Sequence, residues 1–165
     1  MQKLLQEKLA YIALVSSFFV LADQFTKFLA AKYWVVHIDI IDGFFKLMYS
    51  ENTGIAFSIP VQYMLMIALN LALMILVIYL AIKELNLNSK LAILAVSLIL
   101  GGGLGNIIDR LFHGYVIDFI SIWKYPIFNL ADVYVTIGVL SVVIFYDKIK
   151  IWKIQIMKRK TKNKK

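Results

Sequence analysis

The sequence contains no cysteine, which excludes disulfides, thiolate nucleophiles, thiolate metal ligands and a lipidated N-terminal cysteine. Histidine is nearly as scarce. His37 and His113 lie in different segments, so a metal site would need carboxylate help, and each reads more readily as an interfacial polar residue. Neither histidine is suitably placed to activate Ser58 or a serine of the apolar stretches, which leaves a serine peptidase without its base. What the chain has in abundance is apolar surface. Hydrophobic residues fill 61% of the 165 positions, against about 45–50% in soluble domains, and the mean hydropathy is +0.78. A bilayer is the expected solvent.

At this length there is room for one domain, residues 1–165. A hydrocarbon core about 30 Å thick needs about 20 apolar residues per spanning helix. Four such stretches occur, at approximately 10–30, 64–82, 91–112 and 130–146. The first begins with an apolar run, Leu9 to Ala22, behind Lys3 and Lys8, as the core of a signal peptide would. Its helical pattern continues through Asp23 and Lys27 to Ala31, with no small-residue cleavage site before a soluble domain, so it reads as an uncleaved span. The second is the most uniform, interrupted only by Asn70 and Tyr79.

The net charge of +8 is concentrated, not spread over a groove-like surface. Half of the basic residues lie in the tail, 148–165, directly after the last span. Such a cluster suits anionic lipid headgroups and not nucleic acid. The N-terminus, the Lys83–Lys90 loop and the tail together hold thirteen Lys and Arg, and the two other connections hold Lys32, Lys46 and Lys124. By the positive-inside rule both termini are cytoplasmic and the two poorly charged connections face outward. The first of these, Tyr33 to Pro60, alternates apolar residues with Asp39, Asp42 and Gly43, which favours short strands and turns at the membrane surface. The second, Phe119 to Ala131, contains Trp123, Tyr125 and Pro126 and reads as a short interfacial turn.

Ionisable side chains inside a membrane cost about 2.5–3.5 kcal/mol each at a helix centre on insertion scales and mark function by default. Asp23 and Lys27 fall late in the first span, Asp109 and Arg110 late in the third, and Asp132 early in the fourth. Span direction brings all five, with Asp118 and the Asn52-Thr53-Gly54 turn, to the outer half. Asp23 and Lys27 are four residues apart and can pair. Asn106, Asp109 and Arg110 share a face behind Gly101, Gly102, Gly103 and Gly105, glycines that let a neighbouring helix approach closely. A phosphate-binding glycine loop is excluded because position 106 is Asn and a span, not a strand, precedes it. These groups read first as internal pairs that fix helix packing. Asp118 and Asp132 have no cation at helical spacing. Either they form a carboxylate pair in which one keeps its proton while the other acts as a base, the chemistry of peptide hydrolysis by water, or Asp132 or Asn129 merely caps the fourth span. Intramembrane charges also build relays, so a small proton- or ion-coupled transporter is the competing function.

Five short motifs together are similar to a known family: Asp23 with Lys27, Asn52-Thr53-Gly54 followed by Ala56-Phe57, Gly105-Asn106 with Asp109-Arg110, Val116-Ile117-Asp118-Phe119, and Phe128-Asn129-Leu130-Ala131-Asp132. In this order, across essentially the whole chain, they resemble the bacterial lipoprotein signal peptidases, or signal peptidase II. The resemblance implies an all-α membrane protein, a four-helix bundle with a small extracytoplasmic β cradle and a mobile interfacial segment over the substrate. It implies an aspartic endopeptidase of the bacterial cytoplasmic membrane that cuts prolipoproteins just before a diacylglyceryl-modified cysteine. Asp118 and Asp132 would be its catalytic dyad. Asn52, Gly54, Gly105, Asn106, Asp109, Arg110, Asn129 and Ala131 would line or support the site, with Asp23 and Lys27 near its mouth. No metal or organic cofactor is implied, and a monomer is expected.

Overall fold

In the computed structural model, which describes residues 2–54 and 63–150 apart from the side chain of Tyr63, four helices and three strands follow one another along the chain. They are α1 (Gln2–Tyr33), β1 (Ile38–Ile41), β2 (Phe45–Asn52), α2 (Tyr63–Glu84), α3 (Lys90–His113), β3 (Val116–Ile122) and α4 (Leu130–Ile149). All four helices are long and apolar enough to cross a membrane. They overrun the apolar stretches because backbone hydrogen bonding does not stop where the hydrocarbon does. Lys148, assigned from the sequence to the tail, still belongs to α4. Residues 151–165 of that tail, and Ala56, Phe57 and Ser58 with the expected interfacial segment, lie outside the described residues.

The glycine-rich helix is the hub of the bundle. In the most apolar window of α3, 61% of residues are buried, against 11–17% for the other three helices, so α1, α2 and α4 pack around it and turn their other faces outward. Leu14, Phe18, Leu21, Ile75, Val143 and Ile144 are all at least 66% exposed, an apolar surface that only lipid would cover stably. Helix α3 is bounded by its own chemistry. The Ser89 hydroxyl accepts from the Ala92 N–H at its start, and Gly114, in the left-handed conformation at φ +84°, closes its end with an N–H to the Arg110 carbonyl.

Past the ends of α1 and α3 lies an antiparallel sheet in the order β1-β2-β3. The sequence placed strands in the first outward connection and only a turn in the second. The second differs from that expectation, since its first residues, Phe119–Ile122, complete a strand that begins at Val116. Val116, Ile117, Ile120 and Ile122 are β-branched, and pairing with them satisfies the otherwise open edge of β2. The pairing sets Ser50 opposite Asp118 and Asn52 opposite Val116. Ile117 and Phe119 pack on Ala30 of α1 and seat the sheet on the bundle.

A buried ionic cluster fastens these elements. Lys27, 2% exposed, contacts Asp23 Oδ2 at 2.8 Å and Asp109 Oδ2 at 2.9 Å. Asp23 Oδ1 accepts the backbone N–H of Ala131 at 2.9 Å, at the start of α4. Asp109 accepts the Ile117 N–H of β3 at 3.0 Å and the Gln24 side-chain amide at 2.8 Å. Thus α1, α3, β3 and α4 meet at one set of charges. Gly105 makes room for it, because a Cβ there would collide with Asp23 Oδ2.

Replacement of that glycine supplies a test. Gly105→Ala gains about 1 kcal/mol of helix propensity but displaces a buried, paired carboxylate, a change of the overpacking kind that costs about 1–3 kcal/mol. Its melting temperature in detergent is expected to fall. Gly103→Ala, whose Cβ would meet only the Met74 side chain at 3.4–3.5 Å, is expected to melt at or above the parent.

Candidate active site

Beyond the Lys27 cluster, a layer of three asparagines leads to the other two carboxylates. Asn106 Oδ1 accepts from Lys27 Nζ at 2.9 Å and from Asn129 Nδ2 at 3.1 Å. Its amide nitrogen is thereby directed at Asp132, donating to Oδ1 at 2.8 Å. Asn129 is the N-cap of α4. Its side-chain oxygen accepts the Asp132 N–H at 3.0 Å, and its backbone N–H donates to Asp132 Oδ2 at 3.3 Å, a reciprocal capping box. The Asn129 amide nitrogen is left to reach Asp118 Oδ1 at 2.7 Å. From β2, Asn52 donates to Asp118 Oδ2 at 2.8 Å, its own oxygen held by the Gly54 N–H at 3.0 Å in an Asx turn. Each amide has one orientation that satisfies all its neighbours, so the network sets where every donor points.

The hydrogen bonds that reach Asp118 and Asp132 come from neutral amides, in contrast to the ammonium between Asp23 and Asp109. Neutral donors orient a carboxylate and stabilise its ionised form less than a paired cation would, and the charge of Arg110 lies nearby. Both carboxylates line one cavity of 490 Å³, whose polar end also includes Asn52, Asn106 and Arg110. Its remaining wall is largely apolar, from α2, α4 and the 125–128 turn. Burial pushes the Asp118 carboxyl up to about 6. The Asn52 hydrogen bond opposes that rise and the nearby Asp132 charge adds to it, while Asn129 and the more distant Lys27 pull it back.

The two readings of Asp132 therefore do not compete: it helps cap α4 and lines the cavity together with Asp118. Asp109 and Arg110, adjacent in sequence, part company. Asp109 turns to Lys27, while Arg110 turns toward the cavity, donating to the Asn106 carbonyl at 3.3 Å and the Gly54 carbonyl at 3.4 Å. Asp23 and Lys27, expected near the mouth, instead lie fully buried behind the asparagines. Gly105 and Ala131 act through their backbones and small size, admitting Asp23 between α3 and α4. Gln24 was not foreseen. A polar residue within the Asp23–Lys27 turn was the available signal, and it donates to both Asp109 and the Gly105 carbonyl.

Known proteins resemble this chain over most of its length. The family model described as Signal peptidase (SPase) II matches residues 15–148. A lipoprotein signal peptidase of Chlorobaculum parvum is 40% identical over 158 residues, covering 82% of this chain and 94% of its own length. That of Chlorobaculum tepidum is 42% identical over 147 residues, covering 78% and 89%, and that of Borreliella burgdorferi is 36% identical over 141, covering 74% and 81%. Two solved structures of bacterial membrane enzymes superpose with TM-scores of 0.74 and 0.71, both at 32% identity, covering 84% and 82% of this chain and 88% and 91% of theirs. The four apolar helices are thus those of a multi-pass membrane protein. A match over most of the chain, relatives whose length it nearly spans and solved enzymes of the same fold lead to one assignment: the chain belongs to the signal peptidase II family.

Proposed function

We propose that this protein removes signal peptides from prolipoproteins, cutting before the diacylglyceryl-modified cysteine, with Asp118 and Asp132 as its catalytic pair. The observation that carries the reading is the pair itself: two carboxylates from different elements that line one cavity and are each held by neutral amides. Water between them is the nucleophile. The ionised member takes a proton from the water as its oxygen attacks the scissile carbonyl, and the protonated member donates to the developing oxyanion. Collapse breaks the C–N bond, and the proton first taken from water passes to the departing amine of the cysteine. Asp118, whose burial favours the neutral form, is the acid, and Asp132 the base. The protein lies in the cytoplasmic membrane with both termini in the cytoplasm, its cavity toward the extracytoplasmic face and its basic tail against anionic headgroups.

Incubation of the purified protein with a lipid-modified prolipoprotein and with its unmodified form tests the substrate. Release of the signal peptide from the modified form alone is expected, and equal cleavage of both would remove the lipid from recognition. Asp118→Asn and Asp132→Asn should each reduce cleavage at least a thousandfold with the protein still folded. Activity within about tenfold of the parent, about 1.4 kcal/mol in barrier, would exclude that residue from the pair.

The raised Asp118 carboxyl sets the sign of the pH dependence. The productive free enzyme keeps the Asp118 proton, so kcat/KM falls as pH rises through about 6. In kcat the same limb lies higher, since bound substrate withdraws further water from the carboxyl. Profiles flat from pH 5 to 8 would eliminate a shared proton.

Orientation is open to direct labelling because the chain has no cysteine of its own. Lys124→Cys and Asn88→Cys lie at exposed positions at the two ends of the bundle. An impermeant thiol reagent on intact cells should modify the first and spare the second, and the reverse pattern would invert the topology.

A further inference from the structure

The hydrogen-bond network accounts for the polar side chains around Asp118 and Asp132, yet the cavity continues past them. On α4, Thr136 follows Asp132 by four residues, one turn or about 6 Å deeper along the helix. On α3, Gly103 precedes Asn106 by three, again one turn deeper. Both line the cavity, and so does Asn70 of α2, one turn from Met74, the residue that faces Gly103. Asn70 is the sole amide or charged side chain between Tyr63 and Lys83. Neither Asn70 nor Thr136 has a side-chain hydrogen-bond partner among the described residues, and Asn70 is half-buried. An amide in hydrocarbon is unfavourable unless something bonds to it, and a leucine would suit an isolated span better.

What enters this cavity under the reading above is the end of an apolar signal sequence. A helix satisfies its own backbone groups, but a peptide bond inside a helix is not accessible to in-line attack by water. The residues just before the cut must therefore be extended. Unwinding the last turn frees carbonyls that would otherwise bond within the helix, and inside a membrane each needs a new donor. An extended chain advances about 3.3 Å per residue. One helical turn beyond Asp132 is thus the level of the second or third residue before the scissile bond.

We propose that Asn70 is a substrate-positioning residue, its side-chain amide donating to a backbone carbonyl of the signal peptide two or three residues before the cut, with the Thr136 hydroxyl as a second donor from the α4 wall. The contact holds the unwound segment extended below Asp118 and Asp132 and aligns the scissile carbonyl with them. Because it engages the backbone, it tolerates varied side chains.

This inference rests on the proposed substrate and orientation, so cleavage of lipid-modified prolipoprotein by the parent protein is the first control: if the parent fails, the reading of function fails. With that control in place, Asn70→Leu and Asn70→Ser are compared in the full-length protein in detergent. Asn70→Leu is expected to lower kcat/KM about tenfold, as loss of one productive hydrogen bond would, while its melting temperature stays equal to or above that of the parent. Asn70→Ser, which keeps a donor, should recover part of the activity. Of two synthetic lipid-modified substrates in which the amide two or three residues before the cut is replaced by an ester, a poorer acceptor, one should be cleaved several-fold more slowly by the parent and no more slowly than the amide substrate by Asn70→Leu. Activity of Asn70→Leu within twofold of the parent would overturn the proposal. So would a loss of activity accompanied by a lower melting temperature, or an ester effect that is absent in the parent or equal in both proteins.

Discussion

An ammonium group has three protons, and in this fold all three of Lys27 are engaged. One faces Asp23 on its own helix, one Asp109 on α3, and the third the side-chain oxygen of Asn106. Inside a membrane-spanning bundle, removal of one partner of such a buried pair costs about 3–5 kcal/mol, because the remaining charge has nowhere to be solvated. The arrangement is correspondingly rigid. The two carboxylates also receive backbone N–H groups, Ala131 for Asp23 and Ile117 for Asp109. Those residues begin α4 and β3, the elements that carry Asp132 and Asp118. One cation therefore fixes the positions from which both cavity carboxylates project.

From this follows a division of labour between two carboxylate pairs only a few side chains apart. Asp23 and Asp109 flank a cation and act as structural anions. Asp118 and Asp132 are reached through Asn52, Asn106 and Asn129, whose amides supply hydrogen bonds without supplying charge. Asn106 joins the two regions, with its oxygen on the ammonium and its nitrogen on Asp132. Were a lysine to stand at position 106 or 129, the adjacent carboxylate would be held ionised. Amides are the side chains that can orient a carboxylate rigidly and still let it titrate.

How much of this was legible in the sequence depended on whether the interaction was local. The spans were readable because bilayer thickness imposes a length on each apolar run. The Asp23–Lys27 pair was readable because a spacing of four on one helix is a contact. Asp109 was not assignable, since its cation lies 82 positions away on α1 and the basic residue beside it in sequence faces elsewhere. The strand character of Val116–Ile122 was hidden because a seven-residue apolar segment between two spans has no period of its own to report, and only β2 makes it a strand. The resemblance to a family set Asp23 and Lys27 at the mouth; their depth depends on the Gly105 gap, which only packing in three dimensions reveals.

The distribution of polarity also bears on the rival reading as a transporter. Ion or proton transport requires polar stepping stones from one side of the bundle to the other. Among the described residues, the buried charges are Asp23, Lys27, Asp109, Arg110 and Asp118, all in the half nearest the sheet. At the opposite end, between α2, α3 and α4, lies a second cavity of 320 Å³ with a different character. Its walls are mostly aliphatic, including Val77, Leu80, Val96, Ile99 and Val139, with Glu84 toward the end of α2 as its charged residue. The buried hydroxyls of this half, Ser16 and Ser97, sit between α1 and α3, and Ser97 bonds the Ile12 carbonyl at 3.3 Å. A proton taken up by Asp118 or Asp132 meets, on the side away from the sheet, first the neutral Asn70 and Thr136 of the same cavity and then mostly aliphatic packing. It can go back to water or on to a substrate, which is what hydrolysis needs and transport forbids.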